Sequence, residues 1–525
     1  MDRRQKIDLI GRGSAMELIS SIRRLDRARQ LEKEKLKNLG RPDAEPEIRV
    51  TRSTVARASG FTVPTVSRAL DPVRNGGAGL IEHQVVKDDN GALSLDKKFG
   101  YFLGIYVGSR IRVSVCNFIM ENLSASALDE LAAAPEELPG IFSVTKEKWK
   151  EINGNQVIIL DYTSSDMVSK INKIIKGLLE LKVKPIGKEL ELLGVGISTP
   201  SVIDYEANSR LNTFDFCPNV EALRGQYTHF FIYKETYTAA VDRGVKICLE
   251  HDTEAGLVHQ REMLFRRCHS PHRAAWGYDN IALVYQGSGT GAAFILNGKL
   301  YRGRGGAAGE VGGLQEPLIP EAFRYDETKL ENFLDETNHT VEDIRKYINE
   351  KLGDRLLTVE EAIRIYVFNA MDLRNYLNKI TFTSKDENGK TIKDENGEPI
   401  YPVMEDFKKM EHRRELFLQY LQYISGTLIN LLSMDVIIFG GPVFDRIGGD
   451  IVVELSRRKP RYAIPNLARD TQIIKSEVAA QSDDMIAVGT AYVALYNCHE
   501  NNRVFVTDYS GQEKPVCIDW PGSVN

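Results

Sequence analysis

The sequence has few of the features that mark secreted, membrane-spanning or metal-clustered proteins. It contains only 6 cysteines, all standing singly with no CxxC pair, so neither a disulfide framework nor a thiolate zinc cluster is indicated. No run reaches the roughly 18 consecutive apolar residues of a membrane span. The first residues, MDRRQKIDLIGRG, lack the apolar core of a signal peptide. We therefore expect a soluble, cytoplasmic protein with reduced thiols and no membrane partner.

Length and charge indicate a chain with several parts. The 525 residues, 42% of them hydrophobic, predict two or three domains. Residues 1–80 contain 17 Lys or Arg and 10 Asp or Glu, whereas the whole chain has a net charge of −5. A basic segment at one end of an acidic body is typical of a nucleic-acid-binding module joined to another domain. A solvated charged helix would give the same charge excess, so charge alone does not decide.

The stretch VTRSTVARASGFTVPTVSRALDPV, residues 50–73, predicts two short helices separated by a tight turn. Thr51 or Ser53 can cap the first helix, and Gly60 can adopt the left-handed conformation of the turn. Thr62 is the expected cap of the second helix. This arrangement is typical of a helix-turn-helix motif, although ordinary helical hairpins share it.

The second helix of this motif has two faces of different chemistry. Val66, Ala69 and Leu70 share the face expected to point inward. The outward side chains are small hydrogen-bonding groups and a guanidinium, which suit a recognition helix in the major groove. The predicted DNA-contacting residues are Arg52, Thr62, Val63, Thr65, Ser67 and Arg68.

The segments on either side complete a predicted winged domain. Two strand-like runs surround Asn90-Gly91, a dipeptide that favours a tight hairpin turn. Upstream, residues 14–25 predict a first helix with Ile19 and Ile22 inward. The charged stretch that follows looks like a helical extension and then a loop that contains proline. It is compatible with a solvated helix, an arm on the DNA backbone or part of a dimer contact.

The body, from about residue 97, repeats one theme: a strand that leads into a glycine turn or a helix. Four stretches show it: ELLGVGISTPSVID (191–204), VKICLEHDTEAGLVHQRE (245–262), residues 278–313 and VIIFGGPVF (436–444). Strands that alternate with helices predict an α/β architecture in which ligands bind at strand ends.

The stretch GSGTGAAFILNGKLYRGRGGAAGEVGG, residues 287–313, resembles the second phosphate loop and the signature of the ROK family of repressors and sugar kinases. The resemblance covers most of residues 14–497. It implies a two-lobed body of the actin-like ATPase (ribonuclease H-like) fold, and the winged helix-turn-helix places the chain in the regulator branch. The implied domains are a DNA-binding domain (1–95), a first lobe (96–240), a second lobe (241–497) with an inserted hairpin near 384–402, and a tail (498–525). The C-terminal helix of the second lobe can return to the first.

The resemblance also implies a set of ligand-binding positions. Asp252 matches the family's general base, and Glu310 matches a glutamate that holds sugar hydroxyls. The implied sugar-contacting residues are Thr199, Ser201, Asn219, His251, Asp252 and Glu310. His251 replaces the usual asparagine, and Gly313 stands where the family usually has a zinc-binding histidine, so no metal site is expected. The sequence CHSPH, residues 268–272, is expected to be a surface loop.

The phosphate loops depart from the family at a decisive position. The first loop has Tyr106 in place of an aspartate and a shorter glycine turn, and an uncharged phenol cannot organise magnesium. The positions of the phosphate loops, which we expect to be degenerate, are Tyr106, Gly108, Gly287, Gly289, Gly291, Gly440 and Gly441. The residues therefore predict sugar binding without phosphorylation, with no catalytic residue and no cofactor. An ATP-dependent sugar kinase with Asp252 as its base is the alternative, and a sugar-sensing scaffold is a third possibility.

Two further segments are unusual. Residues 384–402 repeat Lys-Asp-Glu-Asn-Gly and predict a polar hairpin rather than a calcium loop. The C-terminal tail covers either the body or a partner. Taken together, the sequence predicts a DNA-binding transcriptional regulator, a repressor, with a sugar or phosphosugar effector. We expect it to act as a homodimer or larger homo-oligomer on a double-stranded DNA operator.

Overall fold

The computed structural model describes residues 15–72, 79–96, 99–108, 110–121, 149–152, 155–160, 162, 166–180, 192–200, 232–267, 278–286, 290–311, 411–447, 450–458, 463–477, 482–497, 503–506 and 516–519. The chain divides into two compact units. The first consists of Met1–Asp279, Gly298–Ala308 and Glu477–Asn525. The second consists of Asn280–Asn297 and Gly309–Ser476. The predicted hairpin at 384–402 and the CHSPH loop lie outside the described residues.

The first unit begins with a helical head. Its elements are α1 (Ala15–Asn38), α2 (Arg52–Ser59), α3 (Val63–Leu70) and the antiparallel hairpin β1 (Val86–Asp89) and β2 (Ala92–Leu95). The charged stretch after residue 25 was interpreted as a helical extension, and α1 continues through it to Asn38. This stretch is rich in Lys, Glu, Arg and Leu, which favour helix, and no Gly or Pro interrupts it before Gly40.

Local chemistry sets the ends of the two short helices as predicted. The Thr51 side chain accepts a hydrogen bond from the Thr54 N–H and caps α2, which ends at Gly60 with a φ of 73°. Thr62 caps α3 by accepting from the Thr65 N–H. In the hairpin, Asn90 and Gly91 have φ angles of 51° and 88°, the left-handed pair that a two-residue turn requires.

A six-stranded mixed sheet forms the rest of the first unit. Its order is β5-β6-β4-β3-β7-β8, with β3, β7 and β8 mutually parallel and the other pairs antiparallel. The strands are β3 (Tyr101–Val107), β4 (Ile111–Asn117), β5 (Trp149–Ile152), β6 (Asn155–Leu160), β7 (Leu192–Thr199) and β8 (Lys246–His251). The helices are α4 (Met167–Glu180), α5 (Lys234–Asp242), α6 (Asp252–Arg267) and, from the C-terminal part of the chain, α11 (Ser482–Asn497). Because β8 pairs with β7, the expected lobe boundary at residue 240 falls inside this unit.

Small residues allow α11 to lie directly on the sheet. A Cβ added to Gly104 of β3 would lie 2.3 Å from the Ala491 nitrogen and 2.4 Å from the Ala487 carbonyl oxygen of α11. The helix backbone therefore touches the strand backbone, and any side chain at this position would separate them. The tail forms β14 (Arg503–Val506) and β15 (Val516–Asp519), and β14 packs beside β8, a terminal strand of the six-stranded order.

The second unit is built on another mixed sheet. Four of its strands lie in the order β10-β9-β12-β13, with β9, β12 and β13 parallel. The elements here are β9 (Ile281–Gln286), β10 (Thr290–Leu296), α7 (Glu411–Leu432), β12 (Val436–Gly440), α8 (Pro442–Ile447), α9 (Asp450–Arg458), α10 (Pro465–Asp470) and β13 (Gln472–Lys475). The short strand β11 (Lys299–Tyr301) belongs to the first unit. The predicted α/β class is confirmed. Among the described helices, none is both long and apolar enough to cross a membrane.

Candidate functional site

The first unit places three of the predicted ligand-binding residues at one edge of its sheet. Thr199 ends β7 and is the register partner of His251, which ends β8. Asp252 follows immediately as the first residue of α6. The carboxyl ends of parallel strands are the usual place for ligands in α/β sheets. Thr199, His251 and Asp252 therefore form the candidate effector site.

The hydroxyl of Thr199 is the polar group at this edge that most clearly lacks a protein partner. Thr199 is fully buried, and its Oγ1 has no hydrogen-bond partner within the described part of the chain. The neighbouring Ser198 differs, because its Oγ lies 2.6 Å from the Thr490 Oγ1. A buried hydroxyl without a partner costs roughly 1 to 3 kcal/mol unless a ligand or water satisfies it.

The side chains of His251 and Asp252 lie side by side. The His251 Nε2 is 3.5 Å from the Asp252 Oδ1, which also accepts a hydrogen bond of 3.0 Å from the Thr253 hydroxyl. Asp252 is buried and sits in the first turn of α6, where the helix dipole favours a negative charge. The arrangement provides a fixed carboxylate and an imidazole, both suited to hydrogen bonding with the hydroxyls of a polyol.

An ion-pair cluster lies beside this site, and sequence reasoning missed it. Arg302 donates from Nη2 to Glu250 Oε2 at 2.6 Å and from Nε to both oxygens of Glu250 at 3.2 Å. Its Nε is 3.8 Å from the carboxylate of Glu254. Glu250 and Glu254 are both buried. The only sequence signal was two glutamates at a strand–helix junction, and nothing local indicated a cation 52 residues away.

The environment of Glu254 favours its protonated form. Burial, and then the charge and hydrogen bonding of Glu250, raise the pKa of Glu254 well above its usual value, against a smaller opposing effect of Arg302. Glu254 is therefore more readily protonated than an ordinary glutamate and can donate to Glu250, while Glu250 pairs with Arg302.

The first glycine turn is filled by protein side chains. A Cβ at Gly108 would lie 2.5 Å from the Tyr106 phenol oxygen, so the Tyr106 ring folds over the glycine of its own turn. The Tyr162 hydroxyl donates to the Gly108 carbonyl oxygen. Tyr106 is buried. The residue that replaces the family's aspartate thus occupies the turn itself.

A buried ion pair accompanies this tyrosine. The Arg112 guanidinium carbon lies 5.9 Å from the centre of the Tyr106 ring, within reach of a cation–π contact. The Arg112 Nε donates to Asp484 Oδ1 of α11 at 2.9 Å. The side chains of Arg112 and Asp484 are 6% and 0% exposed, so the cation and its carboxylate are both removed from solvent.

In the second unit, two predicted loop regions come close together. A Cβ at Gly441, which has a φ of 107°, would lie 2.4 Å from the Gln286 carbonyl oxygen at the end of β9. The Thr290 hydroxyl donates to Gln286 Oε1 at 2.7 Å. Gly440 lies beside the buried Ser476 hydroxyl, and Gly291 is the second paired residue of β10, opposite Tyr285. The diglycine turn after β12 therefore meets the β9–β10 hairpin.

The other predicted positions lie either in the second unit or outside the described residues. Glu310 belongs to the second unit and is exposed. Four predicted positions lie outside the described residues: Ser201, Asn219, Gly287 and Gly289. Gly313, the expected departure from the zinc motif, lies outside them as well. Among the residues that the structure does describe, no group of three or more His, Cys, Asp or Glu side chains could hold a metal ion.

Five of the six predicted DNA-contacting residues lie on α3 or at its N-cap, and the sixth, Arg52, begins α2. Thr62, Val63 and Arg68 are exposed, and Thr65 and Ser67 are partly exposed, whereas Val66 faces the core. Arg52 differs from the rest, because its Nη1 lies 2.9 Å from Asp88 Oδ2 of the hairpin. This ion pair joins α2 to the wing and engages a residue that was predicted to contact DNA.

Comparison with known proteins gives the following matches. Residues 270–323 match the sequence model of the ROK family. The xylose repressor of Staphylococcus xylosus is 24% identical over 223 residues, which are 41% of this chain and 49% of that protein. The chain thus spans about half the length of this curated relative. A crystal structure of a ROK family transcriptional regulator, a homolog of the E. coli MLC protein, aligns over 91% of this chain and 98% of its own at 15% identity, with a TM-score of 0.47. A ROK family glucokinase from Streptomyces griseus aligns over 75% and 99% at 16% identity, with a TM-score of 0.35. The predicted likeness to the ROK family is confirmed.

Proposed function

From the likeness to the ROK family, we propose that the protein is a sugar-responsive, DNA-binding repressor that binds its effector without phosphorylating it. The observation that carries the proposal is the position of α6. This helix begins at Asp252 in the candidate effector site and packs against α1 of the head. One element is therefore shared by the predicted sugar site and the predicted DNA-binding module.

Within the head, α1 is bonded to α2. The Arg24 Nη2 donates to the Ala58 carbonyl oxygen of α2 at 3.2 Å and to the Ser21 hydroxyl at 3.1 Å. A sugar that binds Asp252 and displaces α6 would act on α1, and through α1 on α2 and α3. Sugar-bound and sugar-free states would then differ in their affinity for DNA, as a population shift requires.

The absence of phosphoryl transfer is supported by the first glycine turn. Tyr106 folds over Gly108, and Arg112 is paired with Asp484. A phosphoryl-transfer site needs backbone N–H groups open to phosphates and a carboxylate that organises magnesium. Among the described residues of this turn, neither is offered.

A repressor of this kind is expected to act as a homodimer. Each head would place one α3 in the major groove, and two-fold symmetry would match a palindromic operator. The name of the related xylose repressor supports a sugar as the effector class, and a phosphosugar remains within that class.

The effector site can be tested with a substitution that has opposite effects on stability and on binding. In Thr199→Val a methyl group replaces the buried hydroxyl that lacks a partner, so we expect the sugar-free protein to become more stable, by about 1 kcal/mol. Sugar affinity should fall by about tenfold, because a hydrogen bond to the ligand is lost. Calorimetric titration with D-xylose, D-glucose and their phosphates, with thermal unfolding in parallel, measures both.

Ser198→Ala is the matched control for that test. The Ser198 hydroxyl already has Thr490 as its partner, so its loss should lower stability and leave sugar affinity unchanged. Absence of binding by every sugar in the wild-type protein would contradict the proposed effector site. ATP-dependent phosphorylation of a sugar, abolished by Asp252→Asn, would show that the protein is a kinase.

The DNA-binding face has its own test. Arg68 is the exposed arginine of α3, and Arg68→Ala should weaken binding to a selected operator by about 1 to 3 kcal/mol if it contacts a base. Arg49→Ala is the control, since Arg49 is an exposed arginine outside α3 and pairs with Glu45. Gel-shift titration against fragments selected from random DNA gives both affinities. Equal losses in the two variants would show that α3 is not the recognition helix.

A further inference from the structure

Arg302 links two parts of the first unit that are distant in sequence. It follows β11 and begins the turn that contains the signature glycines, and its carbonyl oxygen accepts the Ala308 N–H at 3.0 Å. Its guanidinium reaches Glu250 in β8 through one short and two longer hydrogen bonds. The side chain is 28% exposed, whereas that of Glu250 is 3% exposed. The Arg302 side chain therefore links the turn after β11 to the buried end of β8.

The strand end that Arg302 holds is the one that presents the candidate effector site. Glu250 is followed by His251 and Asp252, and β8 passes into α6 with no residue between them. The His251 N–H lies 3.4 Å from Glu250 Oε1. A change in the position of the Glu250 carboxylate would act directly on the backbone of His251. Loops or junctions that position a binding group must be held by packing and hydrogen bonds to be precise.

We propose that Arg302 is a positioning residue for the effector site: held by Glu250 and lying beside Glu254, it fixes the junction between β8 and α6 that presents His251 and Asp252. The proposal rests on the proposed function in that these two residues bind the sugar. Arg302 itself acts through the junction and needs no contact with the ligand. The turn that begins at Arg302 thus helps to fix the orientation of α6, the helix that packs against α1 of the head.

Glu254 gives this cluster a dependence on pH. Its raised pKa means that the folded protein holds a proton that the unfolded chain releases, so stability falls as the pH rises through the folded pKa. Once Glu254 is ionised, two buried carboxylates share the single guanidinium of Arg302. The other groups around Glu254 are Glu250 and the backbone N–H of His251. The junction should loosen when this proton is lost.

The first measurement needs no ligand. Hydrogen exchange followed by mass spectrometry reports the protection of the peptide that spans the end of β8 and the start of α6. Arg302→Met should raise exchange in this peptide, and Arg302→Lys should restore part of the protection because it keeps the charge. Arg304→Met is the matched control, since Arg304 is an exposed arginine of the same turn. Unchanged protection in Arg302→Met would overturn the proposal.

The second measurement uses D-xylose and D-glucose as probes. If the wild-type protein binds either sugar, Arg302→Met should bind it about tenfold more weakly, and Arg302→Lys should fall between the two. Wild-type affinity in Arg302→Met would overturn the positioning role. If the wild-type protein binds neither sugar, the proposed function fails at that point, and the exchange measurement alone decides the role of Arg302.

The third measurement separates the two glutamates. Glu254→Gln keeps the size and the donor of the protonated acid, so its junction should exchange like that of the wild type with Glu254 protonated and should lose the loosening that follows ionisation of Glu254. Glu250→Gln removes the charge that pairs with Arg302 and should raise exchange at every pH. The measured exchange rates are corrected for the effect of pH on the chemical exchange of an unprotected amide. If Arg302→Met does not fold, Arg302→Lys and this pH series test the positioning role instead. Equal exchange at the junction in Glu254→Gln and Glu250→Gln at every pH would overturn the proposal.

Discussion

Replacing Asp484 with alanine is expected to destabilise the first unit by about 3 to 5 kcal/mol, because it leaves the buried guanidinium of Arg112 without its carboxylate. The Arg112 Nε lies 2.9 Å from Asp484 Oδ1, and neither side chain is more than 6% exposed. Water cannot replace the lost partner without opening the contact between α11 and β4. The midpoint of urea unfolding, converted to free energy with the measured slope, gives the effect.

A double replacement distinguishes the cost of an unpaired charge from the value of the pair. The variant Arg112→Met with Asp484→Leu removes both charges and keeps most of the volume, so its stability should equal or exceed that of the wild type, by as much as about 4 kcal/mol. A double variant as unstable as Asp484→Ala would contradict this explanation. It would show instead that the pair is needed for the shape of the core.

The same pair bears on the question of phosphoryl transfer. A buried arginine that is neutralised by Asp484 and covered by the Tyr106 ring offers no charge to a phosphate. Substituting the tyrosine alone would leave that pair in place. The departure from the kinase pattern therefore involves three packed side chains, Tyr106, Arg112 and Asp484. Sequence analysis identified only Tyr106 as a departure from that pattern.

The head could be predicted closely because its signals are local. Thr51, Gly60 and Thr62 act within a few residues of their own positions, as a helix cap or a left-handed turn does. The hairpin turn at Asn90-Gly91 could be predicted for the same reason, because these two residues themselves favour the turn. The strands of the body were also recognisable, because buried parallel strands are continuous apolar runs.

What could not be predicted depends on contacts between distant parts of the chain. The pairing of β8 with β7 placed Asp252 in the first unit, and no local pattern distinguishes that outcome from a boundary before β8. Arg302 meets Glu250 only because β11 and the turn after it return to this sheet edge. The hydroxyl of Thr199 was identified as a ligand group by resemblance, but its lack of a protein partner is visible only in three dimensions.

Gly489→Ala is expected to destabilise the first unit by about 2 to 3 kcal/mol, even though alanine favours a helix by about 1 kcal/mol over glycine. A Cβ at this position of α11 would lie 1.9 Å from the Ala255 carbonyl oxygen of α6 and 3.2 Å from the His259 Cβ. The two helices must separate to admit it. Because α6 begins at Asp252 and packs against α1, the displacement should also weaken sugar binding and alter the response of DNA binding to sugar.

Gly40→Ala is the control that separates a steric clash from backbone strain. Gly40 has a φ of 71° and nothing within 4 Å of its added Cβ, so alanine there should cost only the roughly 1 kcal/mol of a left-handed residue. Gly489→Val should be worse than Gly489→Ala, because a branched side chain widens the gap between α6 and α11. Wild-type stability in Gly489→Ala would mean that these helices do not touch as described. If Gly489→Ala lowers stability but leaves sugar affinity unchanged, the packing of α6 against α11 does not determine the position of Asp252.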